Sequence, residues 1–87
     1  MAAQRRRADK LLERMKNNPS GDWKFSDVET LAKRYGFSIR RPRGGGSHVT
    51  LLHASHQNLS IPARRPIKSV YIRKLVRMIE GILADNS

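Results

Sequence analysis

Apolar and polar residues alternate between Phe37 and Ile61, whereas on both sides of that stretch apolar residues recur every three or four positions. Alternation is typical of strands with one buried face, and the longer spacing is typical of amphipathic helices. A chain of 87 residues has room for one thin core, such as a sheet covered by helices on one side. The pattern therefore predicts a single α+β domain.

Three segments have the helical spacing of apolar residues. They are roughly Gln4–Asn17, Asp27–Tyr35 and a segment from about Ser69 to Leu83. Ser26 precedes the second segment and, with Glu29 three residues later, predicts a capping box. Gly36 follows the same segment, at the position where helices commonly end in a left-handed residue. Ser69 is expected to cap the third helix in the way that Ser26 caps the second.

Three short runs alternate as strands do, and their short connections predict an antiparallel meander. The runs are Phe37–Arg41, Ser47–Leu52 and Asn58–Ile61. Their apolar face must be covered by helices, and it consists of Phe37, Ile39, Val49, Leu51, Leu59 and Ile61. Without the first helix, the predicted order is α-β-β-β-α, which is the order of double-stranded-RNA-binding domains. This analogy concerns the fold and assigns no function.

The charge of the chain is strongly unbalanced. Eighteen Lys and Arg face seven Asp and Glu, which gives a formal net charge of +11 at pH 7. Such an excess attracts polyanions, so that nucleic acid, an anionic membrane and an acidic protein are all candidate partners. Arginine predominates over lysine, and its planar guanidinium suits bidentate contacts with phosphate. Nucleic acid is therefore favoured, while a merely soluble basic surface stays the simpler alternative.

The composition excludes several classes of site. The chain has no cysteine, which rules out disulfides and thiolate metal sites and fits a cytoplasmic protein. No apolar run approaches the ~20 residues that a membrane-spanning helix needs. The basic start, Met1–Lys10, lacks the apolar stretch of a signal peptide. We therefore expect no membrane partner.

His48 is the main candidate catalytic residue. It follows three glycines and a serine, and alternation directs it away from Val49, toward the open face of the sheet. An imidazole takes up and releases protons near neutral pH. Among arginines it fits metal-free RNA cleavage, in which a base removes the ribose 2′-OH proton and cations stabilise the transition state. From position alone, a plain histidine on a solvated strand is the simpler interpretation.

Residues around His48 are candidate RNA contacts. Gly44, Gly45 and Gly46 can present backbone N–H groups to a phosphate, or form only a flexible hairpin turn. Ser47 is a candidate support for His48, or simply a polar residue at the strand start. The basic candidates lie before the glycines and near the entry to the last helix, and their alternative is an ordinary solvated surface. They are Arg40, Arg41, Arg43, Arg64, Arg65, Lys68, Arg73 and Lys74.

His53 and His56 suggest a metal site, which with His48 would be a three-histidine zinc site. However, no cysteine is present, and no carboxylate lies between Glu29 and Glu80. We therefore interpret both histidines as loop residues near RNA. The sequence predicts no metal and no small-molecule cofactor.

Four short motifs occur in a characteristic order. A helix ends at an aromatic residue and a glycine, a Gly-Ser-His motif opens an alternating strand, a later strand ends in proline, and the final helix mixes basic and apolar residues. The motifs are Tyr35-Gly36-Phe37, Gly46-Ser47-His48, Ile61-Pro62 and Val70–Val76. They extend over about Asp22 to Leu83, and together they resemble the HicA family of toxins, which are mRNA interferases.

This resemblance implies a double-stranded-RNA-binding-domain-like fold for residues 22–84, with residues 1–20 as a basic helical extension that contacts antitoxin or RNA. It implies ribosome-independent mRNA cleavage with His48 as catalytic residue, and inhibition by a cognate HicB-type antitoxin. Many members of the family have a second histidine directly after the catalytic one, where this chain has Val49. HicB antitoxins are often acidic where they face the toxin, which would complement the charge of this chain.

Two other functions stay open at this point. A noncatalytic RNA-binding module requires only the fold and the arginines. A protein-interaction subunit would use the same charge to bind an acidic partner. Incubation with RNA in EDTA separates the RNA-binding module from a nuclease, since the module would bind RNA without cutting it.

Overall fold

The computed structural model describes residues 2–44 and 48–85. The helices are α1 (Ala2–Asn17), α2 (Phe25–Arg34) and α3 (Ser69–Asp85), and the strands are β1 (Ser38–Arg40), β2 (His48–His53) and β3 (His56–Pro62). This order confirms the predicted α+β fold, with an α-β-β-β-α unit after the first helix. Within the described residues, no helix has the length and hydrophobicity that crossing a membrane requires.

The three strands form one antiparallel sheet in the order β1-β2-β3, with β2 in the centre. Thr50 of β2 lies between Arg40 of β1 and Ser60 of β3. His48, the first residue of β2, pairs with Pro62, the last residue of β3. Because paired residues share a face and alternate along each strand, Arg40, His48 and Thr50 lie on one face of the sheet.

The connection between β2 and β3 is shorter than predicted. The sequence suggests a polar loop around His53 and His56, but the two histidines are paired strand residues joined by a two-residue turn. The ladder shifts register between Leu51 and His53, as in a β-bulge. The expectation of loop histidines near RNA was therefore wrong about their secondary structure, and both belong to the hairpin end of the sheet.

The hydrophobic core lies between one face of the sheet and the helices. α2 packs against β1, and α3 packs against β3. The predicted apolar face is buried at Phe37, Val49, Leu51, Leu59 and Ile61, and Ile39 is partly buried against it. None of the described helices covers the opposite face, which carries His48 and is called the open face below.

The described part of α1 belongs to the same core. Leu12 and Met15 are buried among residues of the other two helices, and Met15 has no exposed surface. Lys16 also forms an ion pair with Glu80 of α3, with 2.7 Å between Nζ and Oε2. Residues 1–20 lie outside the segment that resembles HicA toxins, and the end of α1 packs into the hydrophobic core of the domain.

The end of α2 is formed as predicted. Gly36 has a φ of 91°, a left-handed conformation that costs glycine little. Its N–H donates to the Lys33 carbonyl at 3.3 Å, and the Phe37 N–H donates to the Ala32 carbonyl at 3.1 Å. This pair of bonds is a Schellman motif. It turns the chain directly into β1.

The start of α2 differs from the prediction. The helix begins at Phe25, with Lys24 as the N-cap residue instead of Ser26. The Asp27 carboxylate accepts a hydrogen bond from the Lys24 N–H at 3.0 Å. Glu29, which was expected to reach back to Ser26, pairs with two basic side chains instead. The third helix is displaced in the same way, since Ser69 is its first residue and the Lys68 carbonyl accepts the first helical bonds.

Candidate active site and nucleic-acid interface

His48 occupies the position that alternation predicts. It is exposed at the start of the central strand, while the next residue, Val49, is buried in the core. The glycine-rich connection from β1 enters β2 at this point, and β3 leaves the sheet next to it at Pro62. The imidazole therefore lies at the sheet end where two connections meet, in contact with solvent.

Arg40 is the cation best placed to serve His48. It pairs with Thr50, which lies two residues after His48 on β2. Arg40 is therefore a diagonal neighbour of His48 on the same face of the sheet. Such diagonal neighbours are about 7–8 Å apart, which a long side chain can span. Arg40 is exposed. Its guanidinium can thus reach a phosphate held at the imidazole.

Two hydroxyl groups next to His48 were not predicted as site residues. The Thr50 and Ser60 side chains lie opposite each other, with 3.3 Å between Oγ1 and Oγ. Both can donate hydrogen bonds to phosphate or ribose oxygens. Alternation places Thr50 on the face of His48, but the choice of Ser60 as its partner depends on a strand register that the sequence does not specify.

Arg41 is directed away from His48, although both were assigned to one RNA site. Its guanidinium donates to Glu29 at 2.7 Å and lies 5.6 Å from the centre of the Phe25 ring, both on α2. A hydrogen bond from Lys33 and the attraction of Arg41 hold the pKa of the Glu29 carboxyl below its ordinary value. Arg41 thus fastens the end of β1 to the helix layer.

Arg65 is likewise engaged by a carboxylate. Its Nε and Nη2 donate to the two oxygens of Asp22, at 3.0 and 2.6 Å. This fork-shaped pair lowers the pKa of Asp22 and raises that of Arg65. Nearby, the Ile67 N–H donates to the Trp23 carbonyl at 2.9 Å. The two contacts join the β3–α3 connection to the α1–α2 connection.

The β1–β2 connection begins on the side of His48. Arg43 is exposed there, and Gly44 has a φ of 75°. A Cβ added to Gly44 would meet nothing within 4 Å, so the backbone at this position is accessible to a ligand. The remaining candidates of this connection, Gly45, Gly46 and Ser47, lie outside the described residues.

The other basic candidates fall into two places. Arg64 is exposed two residues after Pro62, which pairs with His48, and Lys68 is exposed where the same connection enters α3. Arg73 and Lys74 are exposed on the outer side of α3, in the helix layer on the other side of the sheet. The structure therefore divides the predicted basic residues between two surfaces.

The sheet and its connections carry no acidic side chain, since the chain has no Asp or Glu from Thr30 to Ile79. The few carboxylates lie on helices or on the α1–α2 connection, and two of them already neutralise Arg41 and Arg65. A phosphate approaching the open face thus meets no like-charged side chain. The arrangement is suited to binding a phosphodiester beside a group that can exchange protons.

The three-histidine zinc site considered from the sequence is not formed. His48 and His53 lie at opposite ends of β2. Among residues 2–44 and 48–85, no group of three or more His, Cys, Asp or Glu side chains is placed to hold a metal ion.

Comparisons of this chain with known protein families, curated proteins and solved structures found no match. The resemblance to HicA toxins consequently rests on the residues of the chain itself, and it stays a prediction.

Proposed function

We propose that this protein is a toxin of the HicA type, a metal-independent endoribonuclease that cleaves mRNA with His48 as its acid–base residue. The observation that carries the proposal is the position of His48, which is exposed on a face free of carboxylates and lies diagonally across from Arg40. Acid–base catalysis needs an accessible imidazole, and phosphoryl transfer needs a cation beside it.

In the proposed reaction, His48 accepts the proton of a ribose 2′-OH, and the 2′-oxygen attacks the adjacent phosphorus. The bond from phosphorus to the 5′-oxygen breaks, and the departing oxygen takes a proton from solvent. The products are a 2′,3′-cyclic phosphate and a 5′-hydroxyl. Arg40 stabilises the negative charge that develops on the phosphoryl oxygens, and the hydroxyls of Thr50 and Ser60 hydrogen-bond the backbone next to it.

The RNA backbone is held by exposed cations at the same sheet end. Arg43 and Arg64 are exposed on the two connections that meet there, and Lys68 is exposed farther along the second connection, at the start of α3. Each phosphate neutralised on a single strand contributes about −0.7 to the slope of log affinity against log salt. Three such contacts would give a slope of about −2, and a slope near zero would argue against this interface.

The cognate inhibitor in this proposal is a HicB-type antitoxin with an acidic surface toward the toxin. The support is electrostatic, because the net charge is +11 and the stretch from Thr30 to Ile79 has no acidic residue. Complementary charge speeds association and favours the correct partner. An acidic segment over the open face would exclude RNA directly.

A noncatalytic RNA-binding module is the second candidate. One observation favours it: His48 is the only histidine on the described open face, and Val49 stands where many HicA toxins have a second histidine. Arg40 and the hydroxyls would serve binding equally well without chemistry. Purified protein that binds RNA in EDTA without shortening it would support this alternative.

Induction in bacteria tests the toxin proposal in the cell. Wild-type protein should arrest growth and shorten cellular mRNA, and His48→Ala should do neither while accumulating to the same level. His56→Ala is the matched control, since it removes a histidine at the opposite end of the sheet and should keep the toxicity. Growth arrest by His48→Ala would remove this residue from the proposed role.

A further inference from the structure

His53 and His56 bring two imidazole nitrogens together at the hairpin end of the sheet. Their Nδ1 atoms are 3.4 Å apart, and the rings are nearly perpendicular, at 80° and 4.9 Å between centres. The pair belongs to neither the RNA site around His48 nor the basic connections. Its arrangement is set by hydrogen bonds from the neighbouring turn and from the ends of α2 and α3.

The hydrogen-bond partners fix where the ring protons are. The Ser55 backbone N–H can only donate, and it donates to Nδ1 of His53 at 3.1 Å. His53 therefore carries its proton on Nε2, which donates to the Tyr35 carbonyl at 3.2 Å. The Asp85 carboxylate lies 3.1 Å from Nε2 of His56, so that Nε2 donates there. The two Nδ1 atoms then face each other across 3.4 Å, where a proton on His56 Nδ1 can be shared with Nδ1 of His53.

We propose that these two Nδ1 atoms bind a transition-metal ion that prefers imidazole, of the class of Zn²⁺, Ni²⁺ and Cu²⁺. Zn²⁺ binds histidine nitrogen at about 2.0–2.1 Å in tetrahedral geometry. Two nitrogens on one such ion are about 3.4 Å apart, which equals the observed separation. A metal ion between the rings takes the place of the proton that the two nitrogens can share.

The outer contacts of both rings are those of metal-ligating histidines. Such histidines usually donate their other N–H to a backbone carbonyl or a carboxylate, here Tyr35 and Asp85. Phe37 packs edge-on against His53 at 5.0 Å between centres and limits its rotation. Metal binding displaces the bond from Ser55, and water completes the coordination because the His56 side chain is still 23% exposed.

This site does not enter the proposed RNA chemistry. His53 lies five positions after His48 on β2, which is about 16 Å in an extended strand. A metal at the hairpin would instead join β2 and β3 to the ends of α2 and α3. It binds the folded arrangement, and it therefore raises stability by mass action.

Thermal unfolding of the full chain, stripped with EDTA and then dialysed, tests the site. Zn²⁺ and Ni²⁺ should raise the midpoint by several degrees, whereas Mg²⁺, which prefers oxygen ligands, should not. His53→Ala and His56→Ala should each abolish the rise. His48→Ala should keep it, which controls for binding by a single exposed histidine. A wild-type midpoint that Zn²⁺ leaves unchanged, or an equal rise in all three variants, would overturn the proposal.

Asp85→Asn provides a second test that keeps both rings. Loss of an outer-shell partner weakens metal affinity about tenfold or more, so the Zn²⁺ titration should shift by that factor. If Asp85→Asn binds Zn²⁺ as tightly as the wild type, the proposed geometry is wrong. If Zn²⁺ does not change the unfolding midpoint and only pH does, a proton occupies the space between the two nitrogens, and the metal site is rejected.

Discussion

Arg40 and Arg41 are neighbours in the chain but serve opposite faces of the sheet. Arg40 pairs with Thr50 on the open face next to His48, whereas Arg41 binds Glu29 of α2 across 2.7 Å. The two residues have the same charge and differ by one position. In the proposed function, they therefore separate a role at the RNA from a role in holding β1 against the helix layer.

Replacement of the two arginines should have different effects. In the proposed mechanism, Arg40→Ala removes the cation beside the scissile phosphate, so it should lower kcat about a hundredfold with the unfolding midpoint unchanged. Arg41→Ala leaves Glu29 with one basic partner and should lower the midpoint, with a much smaller loss of kcat. Cleavage kinetics and thermal unfolding of both variants check this. If both variants lose the same fraction of kcat, the different positions of Arg40 and Arg41 do not matter for the function.

The fold was predictable because it depends on local patterns. The change from helical spacing to alternation located the sheet, and the same alternation placed Val49 inside and His48 outside. Gly36 ended α2 as expected, because a left-handed residue is needed there and glycine adopts it without strain. The start of α2 differs from the prediction because Lys24 and Asp27 satisfy the free hydrogen-bonding groups of its first turn as well as Ser26 and Glu29 could.

The parts that were not predictable depend on contacts between distant segments. Arg41 and Arg65 looked available for RNA, but Glu29 and Asp22 engage them across 12 and 43 residues of chain. Only the folded arrangement brings those charges together. For the same reason, the position of Asp85 beside the pair of His53 and His56 has no local signature in the sequence.

Gly36→Ala tests the turn between α2 and β1. The left-handed backbone there should cost alanine about 1–2 kcal/mol, and its Cβ would lie 3.3 Å from Nε2 of His53. Gly81→Ala is the matched control, because Gly81 lies within α3 with nothing within 4 Å of a Cβ. It should gain about 0.5–1 kcal/mol. Urea unfolding measures both, and opposite signs are expected.

Met15→Ala tests whether α1 is part of the domain. Met15 is fully buried against the other helices, and truncation of such a side chain typically costs about 2–5 kcal/mol. Lys10→Ala on the exposed side of α1 should change the free energy of unfolding by less than about 0.5 kcal/mol. If Met15→Ala is as mild as Lys10→Ala, the packing of α1 contributes nothing to the stability of the domain.

The Asp22–Arg65 pair should make stability depend on acid pH. Because the native pKa of Asp22 is lowered by Arg65, the ion pair stabilises the fold fully above the ordinary aspartate pKa of about 3.9. That contribution is lost as the pH falls through the lowered native value. Asp22→Asn should therefore unfold at a lower temperature than wild type at pH 7, and the difference should shrink as the pH falls below about 4. A difference that is constant from pH 7 to pH 2 would contradict the ion-pair explanation.

Cleavage of a defined single-stranded RNA by purified protein in EDTA is the most direct measurement. Wild-type protein should cut the RNA to products with 2′,3′-cyclic phosphate ends, and it should leave the same oligonucleotide intact when the ribose at the cut site is 2′-deoxy. His48→Ala should bind the RNA with unchanged affinity and release no product. Cleavage by His48→Ala at the wild-type rate, or by the wild type at the 2′-deoxy position, would contradict the account.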